Sequence, residues 1–255
     1  MKAVIGVPTA GAPAQPFVDS LAALVLPAGI QGFERVIVRG NFVPAQREVI
    51  VMRTLELGAD VLLMCDDDMV LPPRAFVDLY GALTANPRCA IAGALYYSRD
   101  GLRPMAVANW NPNDTTTALV PGFTDQPVAV DGVGFGCVAV RMDAVRELEP
   151  LYFSTHVYVA PNAGRVLVCD EDYLFCARLR ERGWSVVLHA GVRAGHFDRA
   201  SGRTQPQTWE PAERTHLPRM AAYENGALTL VAEQPDAPAR REHHVAAGLT
   251  YIFPR

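Results

Sequence analysis

An uninterrupted apolar run, Val61-Leu62-Leu63-Met64-Cys65, passes directly into Asp66-Asp67-Asp68. The run has the length of a buried strand, and the aspartates follow at its carboxyl end, where open α/β sheets hold their ligands. Three adjacent carboxylates repel one another and favour a neutralising cation. As an extended segment, the acidic run points Asp66 and Asp68 to one side and Asp67 to the other. An Asp-x-Asp pair of this kind can offer hard oxygen ligands to Mg²⁺ or Mn²⁺, which in turn grips a diphosphate. The bland alternative is a solvated turn opening the helix that begins near Leu71-Pro72-Pro73.

A second acidic group, Asp170-Glu171-Asp172, precedes Tyr173-Leu174-Phe175-Cys176-Ala177-Arg178-Leu179. Acidic residues in a first helical turn complement the helix dipole, which explains the cluster without any chemistry. A carboxylate fixed at a helix start can also take a proton from an attacking hydroxyl. Past the last strand lies Gly195-His196-Phe197-Asp198. His196 is a candidate third metal ligand, since imidazole ligates transition metals well, and a structural or surface histidine is the alternative. His189 ends a strand, which suggests packing more than ligation.

The elements that must position these groups alternate between strand and helix. Strands are expected at Ala3–Val7, Arg35–Val38, Val61–Cys65 and Ala90–Leu95, with helices at Gln15–Leu26, Pro44–Leu57 and Pro73–Thr84. Proline in the first turn and Gly58 past the end mark the second helix. This alternation predicts an α/β fold whose mostly parallel sheet is flanked by helices. Residues 96–130 read as loops with short strands. Val133–Val140 reads as one strand, Asp143–Leu148 as a short helix, Asp170–Arg182 as a helix stopped by Gly183, and Ser185–Leu188 as a strand. After His196 the chain is polar and proline-rich, which predicts an irregular segment.

Composition narrows the function classes. The 255 residues are 50% hydrophobic and 20% charged, with net charge -4, so no bulk basic field draws the protein to nucleic acid. The five cysteines are scattered without zinc-knuckle spacing, as expected of buried thiols in a reducing compartment. No apolar stretch is long enough to span a bilayer. A soluble, cytoplasmic protein is expected.

Taken in order, these segments resemble the family-2-like glycosyltransferases of the GT-A (Rossmann-like) fold, over about residues 3–198. Val7-Pro8-Thr9-Ala10 resembles that group's first nucleotide-binding loop, and the helix with Gln46-Arg47 its arginine-bearing helix beside the nucleotide. The stretch from Gly58 to Pro73 is similar to the Asp-x-Asp region. Val130-Asp131-Gly132-Val133-Gly134-Phe135-Gly136-Cys137 resembles the glycine-rich segment beside the donor sugar, with a glycine bulge as the bland alternative. Glu171-Asp172 and the arginines after it resemble the Glu-Asp motif and its trailing helix.

The resemblance implies a nucleotide-sugar site of Pro8, Thr9, Ala10, Arg47, Asp66, Asp67, Gly134, Phe135 and Gly136. It implies a metal site of Asp66, Asp68 and His196 holding Mn²⁺ or Mg²⁺, and a catalytic pair of Glu171 and Asp172, with Asp172 as the base of an inverting transfer. The donor is then a nucleotide-sugar, and the acceptor is open. Residues 1–198 form the transferase domain, and 199–255 an extension on it that could act as a lid. Trp110, Tyr96, Tyr97 and Tyr158 could stack on a sugar, against the commoner role of packing.

Two other readings compete. A nucleotidyltransferase making nucleotide-sugars uses a related fold and calls for a basic residue in the loop after the first strand, and Pro8-Thr9-Ala10-Gly11-Ala12-Pro13-Ala14 has none. A non-catalytic nucleotide-sugar or carbohydrate binder would be expected to lose the base, the acidic pair or the histidine.

Overall fold

The computed structural model describes residues 1–30, 32–110, 125–160, 165–206, 220–224 and 227–231, with the strands among 156–169 and 220–231 described by backbone alone. In chain order the elements are β1 (Lys2–Thr9), α1 (Gln15–Ala22), β2 (Gly32–Arg39), α2 (Val43–Glu56), β3 (Val61–Cys65), β4 (Met69–Val70), α3 (Ala75–Ala85) and β5 (Cys89–Leu95). They continue with β6 (Ala106–Val107), β7 (Pro127–Val130), β8 (Gly132–Val133), β9 (Cys137–Arg141), α4 (Met142–Val145), β10 (His156–Ala160), β11 (Arg165–Cys169) and α5 (Glu171–Glu181). The last are β12 (Ser185–Arg193), β13 (Gly195–Asp198), β14 (Arg203–Gln205), β15 (Met220–Glu224) and β16 (Ala227–Val231).

Seven strands form the central sheet in the order β2-β1-β3-β9-β5-β12-β7. β2, β1, β3, β5 and β12 run parallel, while β9 and β7 run against them. The expected α/β fold with a mostly parallel sheet is therefore present. Every residue of β3 and β5 is buried, as strands covered on both faces require. One apolar cluster joins α2, α4 and α5 to one face, through Ile50, Val145 and Phe175 among others. The other joins α1 and α3 to the opposite face, through Phe17, Phe76 and Leu79. No helix among the described residues is long and apolar enough to cross a membrane.

Strand order reverses around β1. Its neighbours are β2 on one side and β3 on the other, and the chain reaches each through a helix. A crevice opens at such a switch point, at the carboxyl ends of the parallel strands. Thr9 ends β1, and Asp66 follows the end of β3.

One expectation is corrected. Val133–Val140 is two strands, β8 and β9, separated at residues 134–136, because Gly134-Phe135-Gly136 leaves the sheet to pack against Tyr96. Among the described residues after His196, β13 pairs with both β14 and β4, and β15 and β16 join β10 and β11 in a second sheet. Much of the expected lid, 207–219 and 232–255, lies outside the described residues.

Candidate functional site

The three aspartates after β3 occupy a turn, not an extended segment. Their side chains therefore diverge, and the expectation that Asp66 and Asp68 share a side is corrected. Each meets a different arginine. Asp66 receives Nη2 of Arg47 at 3.0 and 3.1 Å on its two oxygens. Asp67 receives Arg199 Nη2 at 3.1 Å, and Asp68 receives Arg99 Nη2 at 2.8 Å. The repulsion that predicts a cation is met, in this structure, by three guanidinium groups from distant parts of the chain.

Arg47 lies one turn into α2, on the face that buries Gln46, Arg47, Ile50 and Val51. It is the hub of the site. Besides Asp66 it donates from Nη1 to Glu171 Oε1 at 2.8 Å, and it stands 3.8 Å from Asp172 Oδ2. Its guanidinium sits over the Phe135 ring at 5.6 Å. Burial works against its charge, but Asp66, Asp172 and Glu171 together outweigh burial and raise its pKa. Its Nε is buried without a hydrogen-bond partner among the described residues.

Glu171 and Asp172 open α5 and are brought to Arg47 across more than a hundred residues of chain. Asp172 is 7% exposed. Its Oδ2 accepts the Phe135 N–H at 3.4 Å, and its Oδ1 accepts the Tyr173 N–H at 2.9 Å. Burial, aided by the charge of Glu171 and opposed by Arg47, carries the Asp172 carboxyl up to about 7. A carboxyl poised there is suited to move a proton near neutrality.

On the other side of the aspartate turn, pairing of β13 with β4 places His196 opposite Met69. His196 Nε2 is 3.4 Å from Asp68 Oδ2. Its Nδ1 lies 2.9 Å from the Tyr97 carbonyl oxygen, which can only accept, so Nδ1 carries a proton and Nε2 faces the carboxylate. Burial would raise the Asp68 pKa, but His196 and Arg99 outweigh it and hold the carboxyl below its ordinary value. Burial likewise opposes charge on His196, and Asp68 overcomes it and raises the imidazole pKa.

Asp68 Oδ2 and His196 Nε2 are spaced so that one cation could touch both, and the anchored Nδ1 leaves Nε2 as the ligating atom. Asp66 does not join them, because the turn directs it onto Arg47. Among the described residues no three His, Cys, Asp or Glu side chains gather as a metal site. The pair fits Mg²⁺ or Mn²⁺ in the manner of sites that take one or two protein ligands and complete the shell from substrate phosphates and water.

The first loop is tied to the same turn. Thr9 donates its hydroxyl to Asp67 Oδ2 at 2.6 Å, and that hydroxyl accepts the Gly11 N–H. Gln46 Nε2 donates to the Thr9 carbonyl at 2.8 Å. Pro8 lies in β1, which is buried from Ala3 onward, and Ala10 is exposed just past the strand. The loop has no basic residue of its own, but two arginines reach it. Arg199 Nη1 donates to the Ala12 carbonyl at 2.5 Å, and the Arg39 guanidinium packs against Gly11.

The glycine-rich segment is enclosed. Gly134, Phe135 and Gly136 are buried. A Cβ on Gly134 would overlap the Tyr96 hydroxyl, and one on Gly136 would lie 2.7 Å from Tyr96 Cζ. The smallness of these residues is used here by Tyr96, whose hydroxyl accepts the Gly136 N–H at 3.0 Å. The Phe135 ring packs edge-on against Phe153 and Phe175. Tyr96, Tyr97 and Trp110 are all buried, and Tyr158 falls outside the described side chains. His189 sits on β12, where burial lowers its pKa, away from the aspartate turn.

Sequence reading passed over Arg99, Arg199 and Tyr96 as polar partners. Arg99 had a usable signal: it follows the carboxyl end of β5, another parallel strand, where ligands of such sheets gather. Arg199 has none, since its partners depend on the path of the chain after β13.

The sequence matches no described protein family, and no curated protein is similar to it. Solved structures are similar. A197 from STIV has a TM-score of 0.56 and 18% identity, over 85% of this chain and 99% of that one. The two share a fold. A CMP:2-keto-3-deoxy-manno-octonic acid synthetase complexed with CTP has a TM-score of 0.44 and 15% identity, over 83% of this chain and 95% of that one, which is too distant to bear on fold or chemistry.

Proposed function

We propose that the chain is a metal-dependent glycosyltransferase that moves a sugar from a nucleotide-sugar to an acceptor hydroxyl. The observation that carries this reading is the joining of both acidic motifs through Arg47, which bridges Asp66 at the end of β3 and Glu171-Asp172 at the start of α5. That arrangement sets a buried carboxyl of pKa about 7 beside the crevice in which a nucleotide would lie.

In this reading Asp68 and His196 hold Mn²⁺ or Mg²⁺. When bound, the metal neutralises the charge that grows on the departing nucleoside diphosphate. Asp172 accepts the proton of the acceptor hydroxyl as that hydroxyl attacks the anomeric carbon. Glu171 and Asp66, fixed by Arg47, keep Asp172 and the aspartate turn in register. Thr9 and Asp67 hold the first loop against the nucleotide.

The arginines that reach the first loop from elsewhere in the chain favour a second reading. Arg39 and Arg199 place positive charge where a nucleotidyltransferase would bind a triphosphate, so a synthesis of nucleotide-sugars with release of pyrophosphate is the competing activity.

One experiment separates them. Thermal unfolding is followed with UDP, GDP, ADP, CDP and dTDP, each with and without Mn²⁺, because a ligand of the folded state raises its stability. A selective shift that needs Mn²⁺ supports the transferase site and identifies the base. The matching nucleotide-sugar is then tested for release of nucleoside diphosphate, and the matching triphosphate with a sugar phosphate for release of pyrophosphate. Release of pyrophosphate alone replaces the first reading by the second. No shift with any nucleotide removes both.

A further inference from the structure

Asp68 is almost fully buried at 3% side-chain exposure, yet its partner Arg99 is 69% exposed. Both Arg99 contacts fall on one oxygen: Nη2 is 2.8 Å and Nε 3.2 Å from Asp68 Oδ2. His196 Nε2 approaches the same oxygen at 3.4 Å. A cation touching Asp68 Oδ2 and His196 Nε2 would therefore contend with Arg99 for that oxygen, and two positive charges cannot share it cheaply.

The loop that carries Arg99 is tight. Ser98 N–H donates to the Arg103 carbonyl, Gly101 N–H to the Ser98 carbonyl, and Tyr97 forms a bridge with Pro104. Its backbone is thus tied on both sides of Arg99, while the long, exposed side chain can turn without moving the loop. A guanidinium released from a carboxylate presents a planar fork of donors that matches a phosphate.

We propose that Arg99 is the resident counter-charge of Asp68, displaced when a divalent cation takes Asp68 and His196, and that the displaced guanidinium then binds the phosphates of the incoming nucleotide. The inference rests on the metal site proposed above. It assigns to Arg99 two opposed effects: it weakens binding of the metal alone, and it strengthens binding of metal and phosphate together. An ion pair that served only stability would produce the first effect and not the second.

The test uses the whole chain and two probes, Mn²⁺ alone and inorganic pyrophosphate in saturating Mn²⁺, each titrated by calorimetry into wild type, Arg99→Gln, Arg99→Lys and Asp68→Asn. Circular dichroism establishes that the variants fold. The expected result is severalfold tighter binding of Mn²⁺ alone to Arg99→Gln, with severalfold weaker binding of pyrophosphate. Arg99→Lys, which keeps the charge and loses the fork, falls between on both. Mn²⁺ binding that depends on Asp68 but is no tighter in Arg99→Gln overturns the inference alone, as does unchanged pyrophosphate affinity. If neither wild type nor Arg99→Gln binds Mn²⁺, the metal site itself is wrong and the inference falls with it.

Discussion

Arg47 Nη1 and Glu171 Oε1 are 2.8 Å apart, although 124 positions separate the two residues along the chain. The contact ties α2 to the first turn of α5 and fixes where Asp172 stands. Arg47→Met would keep most of the apolar stem and leave Asp66, Glu171 and Asp172 without their shared cation. Removing one partner of a buried ion pair costs about 3–5 kcal/mol. Urea unfolding should therefore show a loss of that order, and a loss below 1 kcal/mol would place Arg47 among ordinary surface pairs instead.

The buried carboxyl of Asp172 makes both rate and stability depend on pH. As a base it works only when ionised, so transfer should rise with pH through about 7 and level off above. Stability runs the other way. The pKa is raised from 3.8 in the unfolded chain to about 7 in the fold, so the folded form holds the proton more tightly. Its contribution is fully present below pH 3.8 and is lost as pH rises through 7. Asp172→Asn should remove that loss: its melting temperature relative to wild type should be clearly higher near pH 8.5 than near pH 5. Equal pH profiles for the two proteins would refute the raised carboxyl.

The same variant tests the proton-transfer role. Losing general-base assistance typically slows a reaction by about 10²–10⁴-fold. Asp172→Asn should lose transfer to that extent and still bind nucleoside diphosphate with Mn²⁺. Loss of nucleotide binding together with activity would move Asp172 from proton transfer to binding.

Asp68→Ala removes the buried carboxylate that His196 and Arg99 share. Any thermal stabilisation by nucleoside diphosphate that needs Mn²⁺ should vanish in it. Persistence of the Mn²⁺ dependence would take Asp68 out of the metal site.

The enclosure of the glycine-rich turn by Tyr96 gives a prediction about packing. Gly134→Ala drives a methyl group into the Tyr96 hydroxyl. Overpacking of a filled interior costs about 1–3 kcal/mol. Tyr96→Phe in the same chain removes the hydroxyl and should recover part of the loss, which a double-mutant cycle by chemical unfolding would measure. Additive effects would mean that the two side chains do not press on one another.

Much of this protein was legible in its sequence because the signals are local. The apolar run Val61–Cys65, the proline-opened α2 and the acidic start of α5 each declare themselves through periodicity and end signals. Their alternation implied the parallel sheet, and the topological rule for such sheets pointed to the residues after β3 as a site. What one stretch of sequence cannot carry is the direction of a side chain set by partners far along the chain. An extended Asp66-Asp67-Asp68 would put the outer two aspartates on one side. The turn sends them instead to Arg47, Arg199 and Arg99, and no local pattern names those partners. Gly134 and Gly136 were legible as close-approach positions, but only packing revealed Tyr96 as the group that approaches. His196 reaches Asp68 because β13 pairs with β4, a register fixed by hydrogen bonds across more than a hundred residues of chain. Local patterns specify the elements and the acidic groups at their ends. Which charges meet is set by the packing of the whole fold, because the energy of an ion pair depends on separation in space and on burial, neither of which is written in the spacing of residues along the chain.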